Sequence, residues 1–405
     1  MGKFSVEVFA LDKNNVKNIL RRSLAYLLVA VLSSVLTITL FMYKGGLFAQ
    51  NKLMELEKLI EQCFIGEEDK TAMEDAAASA MVGALGDRWS YYIPAKDYAS
   101  HMEQMNNEYV GIGVTISGTN TEEGFEVIQI EPDGGAANAG MLIGDIITEV
   151  EGKKVTEIGL NETKNMIRGD ANTKVNVTVL RNTEKVELTI TRQKIKTAVA
   201  TGQMLKDDIG YVKIVNFDAR CAEETLARVE ELLAQGAKSL VFDVRFNPGG
   251  YKKELVNILD YLLPEGALFR SLSYTGQETV DKSDAKCLEM PMAVLINGSS
   301  YSAAEFFAAA LEEYDWAVTV GEPTVGKSYF QNTYQLSDGS AVGLSVGKYF
   351  TPKNVSLADV GGLKPTVTVE VDDTTRAKIY AGQLPLEEDP QVQAAIEALK
   401  SGKNP

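Results

Sequence analysis

The stretch NGSSYSAAEFFAAAL, residues 297–311, sets Ser299, Ser300 and Ser302 within four consecutive positions, immediately before an alanine-rich helical run. A small-residue turn that opens a helix can hold a hydroxyl over backbone N–H donors, as an acyl-transfer nucleophile requires. The same turn can simply cap the helix, and each of the three serines suits the N-cap. A serine nucleophile also needs a base. The chain has one histidine, His101, far upstream in a helical region, where it reads as a solvated or packed side chain. A Ser-His-Asp triad is therefore disfavoured. One histidine and three scattered cysteines (Cys63, Cys221, Cys287) do not build a zinc or iron site, so no metal and no cofactor is expected. The remaining general base is a lysine. Its reference pKa near 10.4 must fall for it to act at neutral pH, and burial does this by disfavouring the ammonium. Lys327, in TVGKSYF among glycine and apolar neighbours, meets that demand; a solvated loop lysine is the plainer alternative.

These residues need a frame. From about residue 198 to 372 apolar strand-like runs alternate with helical ones: IGYVKIVNF, CAEETLARVEELLAQG, SLVFDVRF, KKELVNILDYLL, PMAVLINGSS, SAAEFFAAALEEY and AVTVGEP. That alternation predicts an α/β core with βαβ crossovers. In such sheets sites form beyond the carboxyl ends of the strands. Three loops fall there: NPGG (247–250), NGSSYS (297–302) and GEPTVGKSYFQ (321–331).

Upstream, residues 108–192 read as short strands with one helix, a compact β-rich module. Residues 50–100 read as helical, and the tail beyond Glu370 as polar and helical. Residues 23–43 carry no charge and are long enough to span a bilayer. Lys13, Lys17, Arg21 and Arg22 precede the run, and Lys44 and Lys52 follow it, a bias that predicts a cytoplasmic N-terminus. An uncleaved anchor is favoured over a signal peptide, because LFAQ at 47–50 is a poor cleavage site. The formal charge of −16 argues against nucleic acid or anionic lipid as partners.

Two resemblances then organise these features. GIGV (111–114) with AANAGMLIGDIITEVEGKKV (136–155) resembles a PDZ domain. It implies a peptide carboxylate held by Gly111, Ile112, Gly113 and Val114, with Ile112 and Val114 offering apolar surface to the terminal side chain. LINGSSYSAAEFFAAAL, VGEPTVGKSYFQ and VFDVRFNPGG resemble the C-terminal processing peptidases, or tail-specific proteases, which are serine peptidases with an inserted PDZ domain. The likeness extends over LGDRWSYYIP, DGSAVGLSVGKYFTP and GLKPTVTV. Tyr301, Ala304, Phe246 and Ser328 depart from the family pattern beside the site without removing a catalytic position.

The resemblance implies a crotonase-like, tail-specific-protease α/β core with an inserted PDZ domain, behind a helical N-terminal region and one transmembrane helix. The expected segments are 1–22 cytoplasmic, 23–43 transmembrane, 44–100 helical, 101–192 PDZ, 193–372 peptidase and 373–405 a helical tail. It further implies that Ser302 attacks, that Lys327 takes the proton, and that Gln331, four residues on along a helical face, orients the lysine. Ala303 with Gly249 or Gly250 would supply oxyanion donors, Arg168 would couple the PDZ domain to the site, and Arg245 would brace the NPGG loop. The expected activity is a membrane-anchored Ser-Lys endopeptidase on the outer side of the cell membrane, acting on proteins with exposed apolar C-termini. Helices at both ends of the ectodomain are consistent with a homodimer. The competing readings are a catalytically inactive, membrane-anchored PDZ adaptor and a crotonase-like acyl-CoA enzyme.

Overall fold

The computed structural model describes residues 13–43, 52–120 and 122–402. The chain falls into two units, divided after Ala76.

In the first unit the helix Lys13–Tyr43 contains the apolar span Lys17–Leu40, with a mean hydropathy of 2.1. Its 24 residues rise about 36 Å, enough to cross a hydrocarbon core of about 30 Å. Polar groups inside the span are absorbed locally: the hydroxyls of Thr37 and Thr39 donate to the carbonyls of Ser33 and Val35 one turn back. The amphipathic helix Lys52–Cys63 follows. Residues 1–12 and 44–51, within the expected cytoplasmic and juxtamembrane segments, lie outside the described residues.

The second unit is built on a six-stranded sheet. Ile209–Ile214, Ser239–Asp243, Met292–Ile296, Ala317–Gly321 and Val367–Thr368 run parallel, with Ala200–Leu205 antiparallel at one edge. The inner strands are buried along their whole length, without alternation, because both faces are covered. Leu240, Phe242, Met292, Val294 and Ile296 face the helices Cys221–Ala234, Lys252–Leu262 and Ala303–Glu313. Val241, Ala293, Leu295, Val318 and Val320 face the helix Pro390–Lys400 through Val392, Ala395 and Ala398.

That last contact revises the expected tail, since the helix Pro390–Lys400 is one of the layers of the core. Its N-cap, Asp389, accepts from Gln391 and Val392 N–H and pairs with Arg245 Nη1 at 2.9 Å. Arg245 also holds Asp243, at 2.6 Å, so the arginine clamps the end of a central strand to the C-terminal helix.

A second sheet joins Gly266–Ser273, Glu278–Ser283, Tyr329–Gln335 and Ala341–Phe350 with a short strand Tyr91–Ile93. The region expected to be helical up to residue 100 therefore contains a strand. Tyr91 lies opposite Gly343, where any Cβ would fall 2.3 Å from the tyrosine ring. The helix Ala95–Met105 then crosses the boundary expected between residues 100 and 101.

The PDZ module is a sheet in the order Val114–Asn120, Phe125–Ile130, Ile146–Val150, Lys174–Arg181, Glu184–Thr191, closed by the helix Val155–Ile167. Its own core contains Phe125, Val127, Ile147, Val150, Val175, Val177, Val179 and Ile190. The chain enters and leaves it through one antiparallel ribbon, Glu108–Gly111 with Gln193–Lys196. This is the geometry of an insertion.

Arg245, Asp243 and Asp389 are all at least 97% buried, so Arg245→Ala would strand two carboxylates in the interior. Denaturant unfolding should show a loss of about 3–5 kcal/mol, and a loss below about 1 kcal/mol would mean that the clamp is not structural.

Candidate active site

The three loops expected at the carboxyl edge of the sheet are tied together by short polar side chains. Asn297 Oδ1 accepts from Phe246 N–H and Ser299 N–H, both at 3.0 Å. Asn247 Nδ2 donates to the Ile214 carbonyl. Ser300 is fully buried; its hydroxyl donates to the Val244 carbonyl at 2.7 Å and accepts from Asn297 N–H. Ser299 is exposed. Among the three serines, Ser300 is therefore a structural tie and Ser302 stands at the helix entrance.

Ser302 is the N-cap of Ala303–Glu313 and takes φ 59°, ψ −127°, a left-handed backbone that costs a non-glycine residue about 1–3 kcal/mol. It forms a capping box with Glu305. The capping reading and the chemical reading thus fall on one residue.

Glu305 does more than cap. Its side chain is fully buried, and Oε2 accepts from Ser302 N–H at 2.9 Å and from Lys327 N–H at 2.8 Å. Oε1 accepts from Gly326 N–H at 2.6 Å and from Thr324 Oγ1 at 2.5 Å. Burial pushes the carboxyl above its ordinary pKa and these donors pull it back. With two donors on each oxygen, the bonding is that of a carboxylate.

Lys327 is half-buried, and its Nζ lies 4.7 Å above the Trp89 ring and 5.9 Å from the Tyr301 ring. Burial lowers its pKa to about 8; Asp87 and Glu305 oppose this and Arg88 assists it. Nζ has no hydrogen-bond partner among the described residues; what links Ser302 and Lys327 is the Glu305 carboxylate that receives both backbone N–H groups. The 87–90 segment supplies the lysine's surroundings. Asp87 accepts from Ser90 Oγ, Ser90 Oγ accepts from Ser345 N–H, and Ser345 Oγ accepts from Gln331 Nε2.

Gln331 departs from expectation. Tyr329–Gln335 is a strand, with a bulge between Phe330 and Gln331, so no helical face links Gln331 to Lys327. Its amide also donates to the Tyr329 carbonyl, and hydrogen bonds through Ser345 and Ser90 link it to Asp87, whose charge acts on Lys327.

The glycines separate by role. Gly249 donates its N–H to Asn247 Oδ1 at 2.8 Å and is not free to hold an oxyanion. Its position is steric instead: with φ 88°, a Cβ there would fall 2.7 Å from Ser302 Cβ. Gly250 N–H and Ala303 N–H have no acceptor among the described residues, which leaves these two as the candidate donor pair.

In the PDZ module a groove of about 230 Å³ runs between the edge strand Val114–Asn120 and the helix Val155–Ile167. Gly111, Gly113, Val114, Ile116, Lys164 and Ile167 line it. Ile112 also lines the groove, but it is 1% exposed and packs into the module's core, so Val114 and Ile116 present more of the apolar wall. Arg168 sits with its guanidinium 5.7 Å over the Tyr109 ring. It borders both this groove and a larger cleft of about 720 Å³ that reaches His101, Asn107, Thr197 and Asn216. His101 packs against Tyr91 and takes no part in the Ser302 cluster.

Sequence reasoning recognised the 85–94 stretch but gave Asp87 and Trp89 no task; no spacing signal relates them to Lys327.

Residues 208–369 match the family model of Peptidase family S41, and residues 110–191 that of the PDZ domain. The chain is 29% identical over 361 residues to the carboxy-terminal processing protease CtpA of Bacillus subtilis, covering 86% of this chain and 76% of that protein. It is 29% identical over 345 residues to a carboxyl-terminal-processing protease of Synechocystis, covering 83% and 78%. A solved structure from Bacteroides fragilis, assigned to the S41 proteases, shares the fold with a TM-score of 0.51 at 14% identity, covering 84% of this chain and 92% of that one. The order of these segments matches the loop architecture around Ser302, and the chain is similar over most of its length to the C-terminal processing proteases, with a region matching peptidase family S41 behind an inserted PDZ domain.

Proposed function

We propose that this chain is a membrane-anchored endopeptidase in which Ser302 is the nucleophile and Lys327 the general base. The observation that carries this reading is the Glu305 carboxylate, which receives the backbone N–H of both residues and so fixes the two loops against each other. Neutral Lys327 leaves the Trp89 ring, accepts the Ser302 hydroxyl proton, and the alkoxide adds to the scissile carbonyl. Gly250 and Ala303 N–H hold the resulting oxyanion. Lys327 then returns the proton to the departing amine, and water repeats the sequence on the acyl-enzyme. Gln331 holds the lysine's surroundings through Ser345.

Substrates are taken by their C-termini. The edge strand Val114–Asn120 can pair with an extended tail, the 111–114 turn can face its carboxylate, and Lys164 and Arg168 add positive charge at the groove. The helix Lys13–Tyr43 anchors the chain, with its N-terminus cytoplasmic and the peptidase outside. An inactive adaptor would keep the groove and lack cleavage.

Ser302→Ala and Lys327→Ala should each reduce kcat/KM by at least about a thousandfold, and the double variant should be little worse, since groups acting as one unit lose additivity. Ser300→Ala should instead lower stability by about 1–3 kcal/mol, through its lost buried hydrogen bonds. Activity that survives Ser302→Ala would overturn the assignment.

The base works only when neutral. Because burial brings Lys327 down to about 8, kcat/KM should rise with pH through that value and level off above it. A profile flat from pH 6 to 9 would exclude Lys327.

Amidating the C-terminus of a peptide substrate removes the carboxylate and should lower kcat/KM by about tenfold, chiefly through KM. Equal cleavage of the free acid and the amide would show that the groove does not read tails.

A further inference from the structure

Five carboxyl groups are buried among the described residues: Asp145, Asp218, Asp243, Glu305 and Asp389. Four have partners. Asp145 accepts from Arg181 and Leu142 N–H, and Asp243 from Arg245 and Tyr211. Asp389 accepts from Arg245 and two helix N–H groups, and Glu305 from four donors. Asp218 is 7% exposed, yet its carboxyl has neither a hydrogen bond nor an ion pair among the described residues. Arg220, two residues on, is engaged with Glu224 and with the Asn107 and Thr197 carbonyls. Its oxygens are not among the sealed, unpartnered polar atoms of the described residues, so they keep a small opening to solvent through which a ligand's donors can reach them.

The segment carrying Asp218 is held firmly. Asp218 N–H donates to Asn216 Oδ1, Asn216 and Asn107 exchange amide hydrogen bonds, and Ala219 N–H donates to the Met105 carbonyl. The segment follows the strand Ile209–Ile214, at the same sheet edge as the other site loops. It touches Gly250 so closely that a Cβ there would fall 2.6 Å from Asp218 N. Tyr251 follows Gly250 and Tyr301 precedes Ser302; burial raises both phenols and the charge of Asp218 adds to it, which puts the carboxyl within electrostatic reach of each.

We propose that Asp218 is a specificity-determining residue of the peptidase site, receiving the cationic side chain of a substrate lysine or arginine beside the scissile bond. This rests on Ser302 as the nucleophile. A basic side chain brings the donors that Asp218 lacks, in a low-dielectric setting where charge-assisted bonds are strong. Its aliphatic stem and cationic head suit the neighbouring phenol rings. An acidic side chain would meet an uncompensated like charge. The net charge of −16 also draws cationic segments towards the enzyme.

Selection should depend on pH, since burial pushes Asp218 up to about 7. The groups around it are Tyr251, Tyr301 and Cys221, all raised by burial, with Arg220 paired to Glu224. Glu224 also accepts from Val199 N–H and Glu254 from Ala222 N–H. His101, at the nearby cleft, is lowered from its ordinary value by burial. Lys327 titrates in an overlapping range but acts on every substrate alike, so it cancels from a ratio of two substrates.

The test uses the full chain in detergent and free-acid peptides carrying lysine, norleucine or glutamate at each of the two positions on either side of the cleaved bond. At one position, kcat/KM for lysine should exceed that for glutamate by at least about tenfold at pH 8.5, and the lysine-to-norleucine ratio should fall several-fold by pH 6. In Asp218→Asn the lysine-to-glutamate ratio should drop to within about twofold and lose its pH dependence. If that variant does not fold, the pH dependence of the wild-type ratio decides the matter alone. Equal ratios at every position, or a lysine preference that survives Asp218→Asn or is flat with pH, would overturn the inference. Failure to cleave any of the peptides would remove the peptidase reading, and this inference with it.

Discussion

The carboxylate of Glu305 is the interaction on which the site depends. A buried charge costs several kcal/mol to desolvate, and here four donors drawn from two loops offset that cost. The donors are not interchangeable. One is the N–H of the turn that presents Ser302, and another is the N–H of Lys327 itself. The third and fourth, from Gly326 and Thr324, fix the path of the loop between them. Thr324 passes the constraint on: its hydroxyl accepts from Leu363 N–H, and its own N–H donates to the Leu363 carbonyl. One side chain thus sets the relative position of three segments that lie far apart in the chain.

That anchoring is what allows a strained backbone at Ser302. The residue before the helix sits in the left-handed region, and it stays there because both sides are immobile. On the helix side, every residue from Ala303 to Leu311 is buried. Phe306 packs edge-on against Phe269, and Phe307 packs against Phe217 and Phe242. A helix with no solvent face over these turns cannot roll to relieve its own N-terminus. On the other side Gly249 leaves no space, with its hydrogen standing where any Cβ would strike Ser302.

Much of this frame is legible in the residues, because fully buried parallel strands read as largely apolar runs, as LVF and MAVLI do. The PDZ glycines and the NPGG turn are legible for a similar reason: close backbone approach leaves little choice of residue. Other features are not. The helix Pro390–Lys400 presents mainly alanine to the sheet, a weak apolar signal, so its layer role emerges only from packing. The strand Tyr91–Ile93 is too short to show a period. Gln331 lies four residues after Lys327, a spacing that suits one helical face but falls in a bulged strand once Ala341–Phe350 pairs beside it. The choice between Gly249 and Gly250 as donor turns on the orientation of one Asn247 amide, which no sequence pattern encodes.

The placement of the PDZ module follows from the same kind of contact. Its ribbon begins at Glu108, directly after Asn107, whose carbonyl accepts from Thr197 N–H and from Arg220. The Asn107 amide donates to the Ala219 carbonyl and bonds with Asn216. Asn216 in turn holds Asp218 N–H, and the adjoining Phe217 takes the Tyr251 N–H and donates to the Gly249 carbonyl. A contiguous chain of hydrogen bonds therefore runs from the base of the ribbon to the glycine pair beside Ser302. Arg168, against Tyr109 of that ribbon, lies at its PDZ end. Asn107 is buried, 6% exposed, so losing its amide bonds would be costly. The base of the inserted domain and the peptidase loops thus share one hydrogen-bond network, with Met105, Asn107 and Thr197 on one side and Asn216, Ala219 and Arg220 on the other.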